Sequence, residues 1–475
     1  MADKESIVGR ISEQEVLLEC LSSDKSEFVA VYGRRRVGKT YLIREALGQD
    51  FAFYATGVLD GNNSVQLANF NEEIVNFGGS SLKPASNWRE AFNNLYTLIE
   101  TSQIKGKKVV FLDEIPWMSA PRSAFLSELD HFWNRWASLR KDVLLIICGS
   151  AASWIIDNVI NNTGGLHNRL TRHINLLPFT LSECEDYYRS RGIEMPLYQI
   201  AEAYMIFGGI PYYMDLFRPR LSLAQNVDAI YFAEDAPLRN EYHNLFRSLF
   251  KNAENHMRVI EALAAKRSGK TREAISTAAG ISEGGGLTKT LNDLVTSGFI
   301  REYLAYGKKS RDKTYQLVDP FTLFSLRFEN KRLAQSSDFW LRSYTTPAHA
   351  SWTGYAFEIV CLLHVQQIRQ ALGISGVLTE VSSWRSTSSD PGAQIDLVID
   401  RADSIINLCE IKYSSTPFLV TKEIDLSLRN KRVAFIEETK TRKAVHTTMI
   451  TTYGLQKGVY QAGIPFEVTL DDLFK

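Results

Sequence analysis

The chain of 475 residues has few of the features that mark several protein classes. Its five cysteines are scattered and odd in number, and none forms a C-x-x-C pair, which argues against a disulfide framework or a zinc site. We expect buried free thiols in a reducing cytoplasm, at Cys20, Cys148, Cys184, Cys361 and Cys409. No run of about 18 apolar residues is present, so no membrane span is expected.

The chain also has no formal net charge and no internal repeats. Its 54 Lys and Arg residues balance 54 Asp and Glu residues, so any DNA binding must come from local patches. The first ten residues, MADKESIVGR, are polar, and we expect no signal peptide. A content of 45% hydrophobic and 23% charged residues is typical of a soluble globular protein, and the length suggests two to four domains.

A basic loop near the N-terminus lies between an apolar run and an amphipathic run. The segment VYGRRRVGKTYLIREAL contains the spacing G-x-x-x-x-G-K-T of a phosphate-binding loop. Backbone N–H groups of such a loop converge on phosphate oxygens, and the following helix adds its positive N-terminus. Lys39 would reach the β- and γ-phosphates, and the Thr40 hydroxyl would bind Mg²⁺. We therefore expect an ATP site with Mg²⁺ at Gly33, Arg34, Arg35, Arg36, Val37, Gly38, Lys39 and Thr40.

The three arginines of this loop have several interpretations. They would touch phosphates, contact a partner, or simply be solvated, and the pattern alone does not choose among these.

A second motif, KKVVFLDEIPWM, is an apolar strand that ends in an acidic pair. Asp113 would hold Mg²⁺, and Glu114 would polarise the attacking water. The next apolar strand ends at Ser150, whose hydroxyl would either lie near the γ-phosphate and the water or cap the following helix. Arg169 and Arg172 come later, and either would act as a finger on a neighbouring subunit's nucleotide, in a homo-oligomer, or form surface ion pairs.

The order of elements predicts a multidomain α/β protein. Up to about residue 179, short apolar strands alternate with amphipathic helices, which indicates a parallel sheet with helices on both faces. Residues 180–252 are helical in pattern. Residues 253–319 give three helices and then a strand–turn–strand, which is typical of a winged helix-turn-helix. Residues 320–350 are expected to be a linker, and residues 351–475 begin with a helix and return to strands.

The first half resembles the archaeal and bacterial AAA+/STAND-type ATPases whose C-terminal part is a DUF234-like, restriction-endonuclease-like domain. The matching stretches include IVGRISEQEVL, the two motifs above, ICGSAASWI, NRLTRHINLLPF and GGIPYYMDLF, over roughly residues 7–217. The resemblance implies that Gly9 and Arg10 lie near the adenine, and that Pro211 lies in a helical lid beside the nucleotide. Where such proteins often have an asparagine after the third core strand, this chain has Ser150.

The C-terminal region contains a second group of charged residues. Glu358 lies on an amphipathic helix, Asp396 on a strand, and Glu410 and Lys412 two residues apart on the next strand. Two carboxylates on adjacent strands would hold Mg²⁺, and Lys412 would orient the water that cleaves a phosphodiester. The pattern resembles the PD-(D/E)xK nuclease core, with Glu358, Asp396 and Glu410 as metal ligands. The alternative is a nuclease fold that only binds DNA or another domain.

The predicted winged helix is locally basic. Residues 253–316 hold eleven Lys and Arg against seven Asp and Glu, and the wing segment YGKKSRDK would meet phosphates. Few side chains suited to base reading are present, which favours contact without sequence preference. The alternative is a spacer between protein domains.

Two classes of function fit these observations. One is an ATP-dependent, DNA-associated ATPase whose C-terminal domain cleaves or holds DNA. The other is a nucleotide-operated signalling switch that turns over slowly and carries an inactive nuclease fold.

Overall fold

The structure, a computed structural model, describes residues 7–48, 50–161, 166, 168–250, 252–308, 313–332, 338–344, 346–386 and 392–475. The chain divides into two compact units, residues 1–177 and 178–475. Within the described ranges, every helix is too short or too polar to cross a membrane.

The first unit is built on a five-stranded sheet in which every strand pair is parallel. The order across the sheet is β2-β3-β4-β1-β5. Strands β3, β4 and β1 are neighbours and run parallel. Their C-terminal ends therefore lie at the same edge of the sheet. The strands are β1 (Glu27–Tyr32), β2 (Phe53–Thr56), β3 (Lys108–Asp113), β4 (Val143–Gly149) and β5 (Arg172–Asn175).

In the described part of this unit, helix α1 precedes the sheet, six more helices lie between its strands, and both faces of the sheet are covered. Strands β1, β3 and β4 are buried at every position, which explains why they read as continuous apolar runs. The parallel sheet predicted from the sequence is confirmed. The helices are α1 (Ile11–Ser22), α2 (Lys39–Leu47), α3 (Asn63–Asn76), α4 (Trp88–Thr101), α5 (Ile115–Met118), α6 (Phe125–Arg135) and α7 (Ala152–Ile155).

The second unit begins with helices only, as the sequence predicts for residues 180–252. Thr180 caps the first of them with a capping box that includes Glu183. The helix α9 is almost entirely buried, so its apolar residues do not follow a single stripe. The helices are α8 (Leu181–Ser190), α9 (Leu197–Phe207), α10 (Pro211–Met214), α11 (Leu223–Val227) and α12 (Glu241–Leu249).

Three helices and a small antiparallel sheet follow; the three helices and the hairpin after them agree with the sequence prediction, whereas strand β6, between the first two helices, was not predicted. The sheet order is β6-β8-β7, and apolar residues of the three helices pack with the strands into one core. The assignment of this segment as a winged helix stays a prediction. The elements are α13 (Ala253–Ala264), β6 (Lys270–Thr271), α14 (Arg272–Ala279), α15 (Gly285–Thr296), β7 (Ile300–Tyr303) and β8 (Thr314–Leu317).

The stretch from 320 to 350 differs from the linker that we expect from its sequence. It contains α16 (Pro320–Arg332) and α17 (Phe339–Ser343), and helix α18 (Pro347–Leu363) already begins within it. Phe321, Phe324 and Phe328 are fully buried. Their spacing places them on one side of a helix, so burial of these rings holds the stretch inside the unit.

The last part of the chain folds around a five-stranded mixed sheet. The order is β13-β12-β11-β10-β9, with antiparallel pairs at β9–β10 and β10–β11 and parallel pairs at β11–β12 and β12–β13. The elements are α19 (Val365–Ala371), β9 (Thr379–Arg385), β10 (Gln394–Arg401), β11 (Ile405–Lys412), α20 (Lys422–Thr439), β12 (Ala444–Thr451) and β13 (Phe466–Thr469). All five cysteines are buried free thiols, which confirms that part of the expectation.

Candidate functional site

The loop between β1 and α2 adopts a backbone that only glycine tolerates at its first position. Gly33 has a φ of +148°, and a Cβ atom there would lie 2.3 Å from the carbonyl oxygen of Leu176. Gly38, which precedes α2, has a φ of +91°. These two glycines therefore allow the tight turn that ends at the N-terminus of α2, where unpaired N–H groups and the helix dipole favour an anion.

Lys39 begins α2 and folds back over its own loop. Its ammonium group donates hydrogen bonds to the carbonyl oxygens of Gly33 (3.0 Å) and Arg34 (2.9 Å). The side chain is only 6% exposed. The charge is thus held inside the loop, at the place where a phosphate chain would lie if the loop bound a nucleotide.

Thr40 contacts the acidic end of β3. Its hydroxyl donates a 2.7 Å hydrogen bond to Asp113 Oδ2, and the other carboxylate oxygen accepts from the backbone N–H of Glu114 at 2.9 Å. A hydroxyl and a carboxylate are the hard oxygen ligands that Mg²⁺ takes in proteins. The pair therefore fits the predicted Mg²⁺ role of both residues.

Glu114 is oriented by the end of the neighbouring strand β4. Its backbone is left-handed, with a φ of +48°, and it precedes the short helix α5. Its Oε2 accepts from both the N–H and the hydroxyl of Ser150, each at 3.0 Å. The residue before α7 is Ala151, which makes no side-chain cap. The prediction that Ser150 caps the following helix is therefore wrong. Ser150 instead holds the Glu114 carboxylate in place.

The three arginines of the loop have different surroundings. Arg34 is 4% exposed, so the solvated interpretation fails for it, whereas Arg35 is exposed. Arg36 is half-buried, with a φ of +72°. Val37 is buried and fixes the loop to the core.

The other residues predicted for the nucleotide site lie on other elements of the chain. Gly9 (φ +63°) and the buried Arg10 (φ +55°) form the turn before α1. Arg169 and Arg172 are exposed near the start of β5. Pro211 begins α10 in the second unit. Their predicted roles stay predictions.

The mixed sheet of the second unit carries Asp396 and Glu410 on adjacent strands. Leu397 pairs with Cys409 across antiparallel β10 and β11, and Asp396 and Glu410 are the next residues of the two strands beyond this pair. A register shift between β9 and β10 falls at this point, between Ile395 and Val398. Such bulges re-aim side chains and are frequent beside active sites.

Glu410 is neutralised by two lysines. Lys412 lies 2.9 Å from Oε1 and Lys431, on α20, lies 2.7 Å from Oε2. Although burial disfavours its charge, these two lysines lower the pKa of Glu410 below the usual range. Lys431 was not among the predicted site residues, because no sequence spacing links a residue on a later helix to the strand motif.

Glu358, on α18, belongs to the same group of charges. Burial, and next the charge of Asp396, raise the pKa of Glu358 to about 8. Asp396 itself accepts a 2.5 Å hydrogen bond from the Gln394 amide. Among the described residues, no group of three or more His, Cys, Asp and Glu is arranged to hold a metal. The metal role of Glu358, Asp396 and Glu410 therefore stays a prediction.

The predicted basic wing is only partly described. Lys309 and Arg311 lie outside the described residues. Lys313 forms a 2.5 Å ion pair with Glu302. The N–H of Tyr306 donates to the Ser383 carbonyl at 2.7 Å, so the base of the wing is fixed to strand β9. This contact agrees with the alternative in which the segment also joins domains.

A family model and a protein of known sequence are similar to this chain. Residues 7–217 match the model of a family described as an ATPase domain predominantly from Archaea. An uncharacterized protein of Methanocaldococcus jannaschii is 23% identical over 433 residues, which is 90% of this chain and 92% of that protein. Its description adds no activity.

Two solved structures are similar at low scores. A Walker-type ATPase of Pyrococcus abyssi is 18% identical, covering 68% of this chain and 96% of that one, with a TM-score of 0.46. The ORC2 protein of Aeropyrum pernix is 15% identical, covering 70% and 95%, with a TM-score of 0.40. Because both TM-scores are low, we infer no activity for this chain from these two structures. The family match confirms the prediction of an archaeal-type ATPase domain at residues 7–217, whereas the winged helix and the DUF234-like nuclease domain stay predictions.

Proposed function

We propose that the first unit binds ATP with Mg²⁺ and hydrolyses it. The observation that carries this proposal is the 2.7 Å contact between Thr40 and Asp113 beside the buried Lys39. It joins the start of α2 to the end of β3, and it collects a cation, a hydroxyl and a carboxylate at one strand edge. Phosphoryl transfer needs mainly such positioning and charge stabilisation.

Each residue has a defined task in this proposal. The Lys39 ammonium exchanges the carbonyls of Gly33 and Arg34 for phosphate oxygens, and Thr40 and Asp113 hold Mg²⁺. The bound ion neutralises charge on the phosphates. Glu114, held by Ser150, accepts a hydrogen bond from the attacking water and orients it.

The test compares two lysine substitutions in the full chain. Lys39→Ala should lower ATP affinity at least about tenfold and reduce Mg²⁺-dependent hydrolysis to background, because it removes the charge that faces the phosphates. Lys141→Ala is the matched control, since Lys141 is exposed in the same unit. Wild-type binding and turnover in Lys39→Ala would refute the assignment.

We also propose that the second unit associates with DNA. The contacts would come from the three-helix segment, which comprises α13 to β8, and from the mixed sheet of β9 to β13. The position of Asp396 and Glu410 on adjacent strands, next to the Leu397–Cys409 pair, supports it, as does the excess of Lys and Arg in residues 253–316. Asp396→Asn should remove Mg²⁺- or Mn²⁺-dependent cutting of plasmid or single-stranded DNA. If the wild-type chain does not cut, the sheet only holds DNA or another domain.

The slowly turning signalling switch is the competing proposal. A switch would hydrolyse ATP slowly and at the same rate with or without DNA, whereas a DNA-associated ATPase would respond to it. Steady-state hydrolysis with and without plasmid DNA separates the two. The finger role of exposed Arg169 further requires a homo-oligomer, which the mass of the ATP-bound protein in solution tests.

A further inference from the structure

A cleft in the second unit lies between the three-helix segment and the mixed sheet. Its volume is about 290 Å³, near the lower end of the roughly 300–1,000 Å³ usual for small-ligand sites. A cleft of this size admits a single strand or a single nucleotide rather than a duplex. The residues that line the cleft include Lys266, Lys270, Arg301, Arg385, Gln394 and Asp396.

The two walls of the cleft are fixed to each other by specific contacts. Besides the hydrogen bond from Tyr306 to Ser383, the Tyr306 ring packs on Phe435 with centroids 4.9 Å apart. Arg267 donates to the hydroxyl and carbonyl oxygens of Ser351 at 3.0 and 3.1 Å. Since these contacts join residues just before β6 and just after β7 to α18, β9 and α20, the cleft is a formed feature of this unit.

The charges of the walls are strongly unequal. Four cationic side chains and one carboxylate line the cleft. Arg301 is held in place by Gln316, at 2.8 Å, and lies over the Tyr303 ring at 4.4 Å. In the part of the chain that the structure describes, no carboxylate forms an ion pair with Lys266, Lys270 or Arg385. A concave surface of one sign concentrates ions of the other sign.

The single carboxylate that lines the cleft is Asp396, one of the residues of the proposed nuclease site. Asp396 lines the cleft at the bulge of β10, as does Gln394, and it lies on the strand adjacent to the one that carries Glu410. A backbone phosphate drawn in by the cations would therefore approach the carboxylate group that the proposed nuclease activity uses.

We propose that this cleft binds the phosphodiester backbone of single-stranded DNA and leads it to Asp396. The inference rests on the proposed association of the second unit with DNA and names its substrate as a single strand. It also gives Lys266, Lys270 and Arg385 a task, as the contacts that hold strand phosphates on the way to the carboxylates.

The test measures binding of a fluorescein-labelled 20-nucleotide oligo-dT to the full chain by anisotropy over a series of salt concentrations. Lys266→Ala, Lys270→Ala and Arg385→Ala should each weaken binding, and each should lower the slope of log K against log salt by about 0.7, the value for one lost single-strand phosphate contact. Lys457→Ala is the matched control, because Lys457 is exposed elsewhere in the same unit. Thermal melting confirms that the variants fold.

Competition and a second substitution separate the remaining outcomes. Unlabelled oligo-dT should compete, whereas inorganic phosphate and dTMP should not at similar phosphate concentration. If the free anions compete equally well, the cleft is a site for a small phosphate ligand and the proposal is wrong. Unchanged slopes in all three cleft variants, or no binding of oligo-dT by the wild type, would also overturn it.

The outcome at helix α15 distinguishes this inference from the broader proposal. Lys289, which is exposed on α15, belongs to the basic segment of residues 253–316 but does not line the cleft. If Lys289→Ala weakens duplex binding while the cleft variants bind normally, DNA association stands and the cleft proposal fails. If only the cleft variants lose binding, the cleft proposal stands and Lys289 makes no contact with DNA.

Discussion

The two units each place carboxylates at the end of buried strands, but they surround them differently. In the first unit Asp113 faces a hydroxyl and Glu114 faces a serine. In the second unit Glu410 lies between two lysines. Hydroxyl partners leave a carboxylate charge for a metal or a water, whereas lysines already compensate it.

This difference explains why one site is easier to interpret than the other. The phosphate-binding loop constrains many positions at once, since a glycine, a lysine and a threonine must occur at fixed spacing before a helix. The motif of the second unit constrains few, and its lysines can equally serve a structural ion pair. We therefore expect substitutions in the first site to act on chemistry by large factors.

The largest expected effect is at the loop glycine. Gly33→Ala should abolish ATP binding, because the added methyl group would lie 2.3 Å from the backbone oxygen of Leu176 and the loop must move. Titration of a fluorescent ATP analogue measures it. Gly376→Ala is the control, since a Cβ atom there meets nothing within 4 Å. If Gly33→Ala still binds ATP, the loop between β1 and α2 does not require glycine at this position to bind the nucleotide.

The next effect concerns the stability of the second unit. His364 is 1% exposed, accepts a hydrogen bond from the Leu181 N–H at 3.0 Å, and has its pKa lowered by burial from 6.5 to about 4. Between these values the unfolded chain binds a proton that the folded chain does not. Stability should therefore fall as the pH drops from 6.5 to 4, by about 3 kcal/mol.

Urea unfolding at pH 7 and pH 4.5 measures this change in the free energy of unfolding. Hydrogen exchange in peptides around residues 181–190 reports the unfolding of this region. The His364→Gln variant keeps an acceptor without a titrating ring, so its stability should depend less on pH. An equal pH dependence in the variant and the wild type would show that other groups cause it.

The smallest expected effect is at Ser150. Ser150→Ala removes one of the two hydrogen bonds to Glu114 and leaves the backbone N–H bond. We expect kcat for ATP hydrolysis to fall about tenfold with KM unchanged, because orientation of the glutamate and not binding is affected. Ser150→Thr, which keeps the hydroxyl, should recover part of the loss. A change in KM alone would indicate a contact with the nucleotide instead.

The parts predicted from sequence are those fixed by local pattern. The strands of the first unit and its loop follow from apolar runs and glycine spacing. The contact of Ser150 with Glu114 depends on β4 lying between β3 and β1, and strand order is not written in local spacing. The helix at Phe321 and Phe324, by contrast, could have been recognised from its aromatic spacing.

The most direct test of the central claim is ATP binding and hydrolysis measured together in Glu114→Gln. The amide keeps the shape of the side chain and the contact to Ser150, but it orients and polarises water poorly. We predict ATP affinity within about threefold of the wild type and hydrolysis lowered at least about a hundredfold. Hydrolysis at the wild-type rate with unchanged binding would contradict the assignment of Glu114, and with it this account of the site.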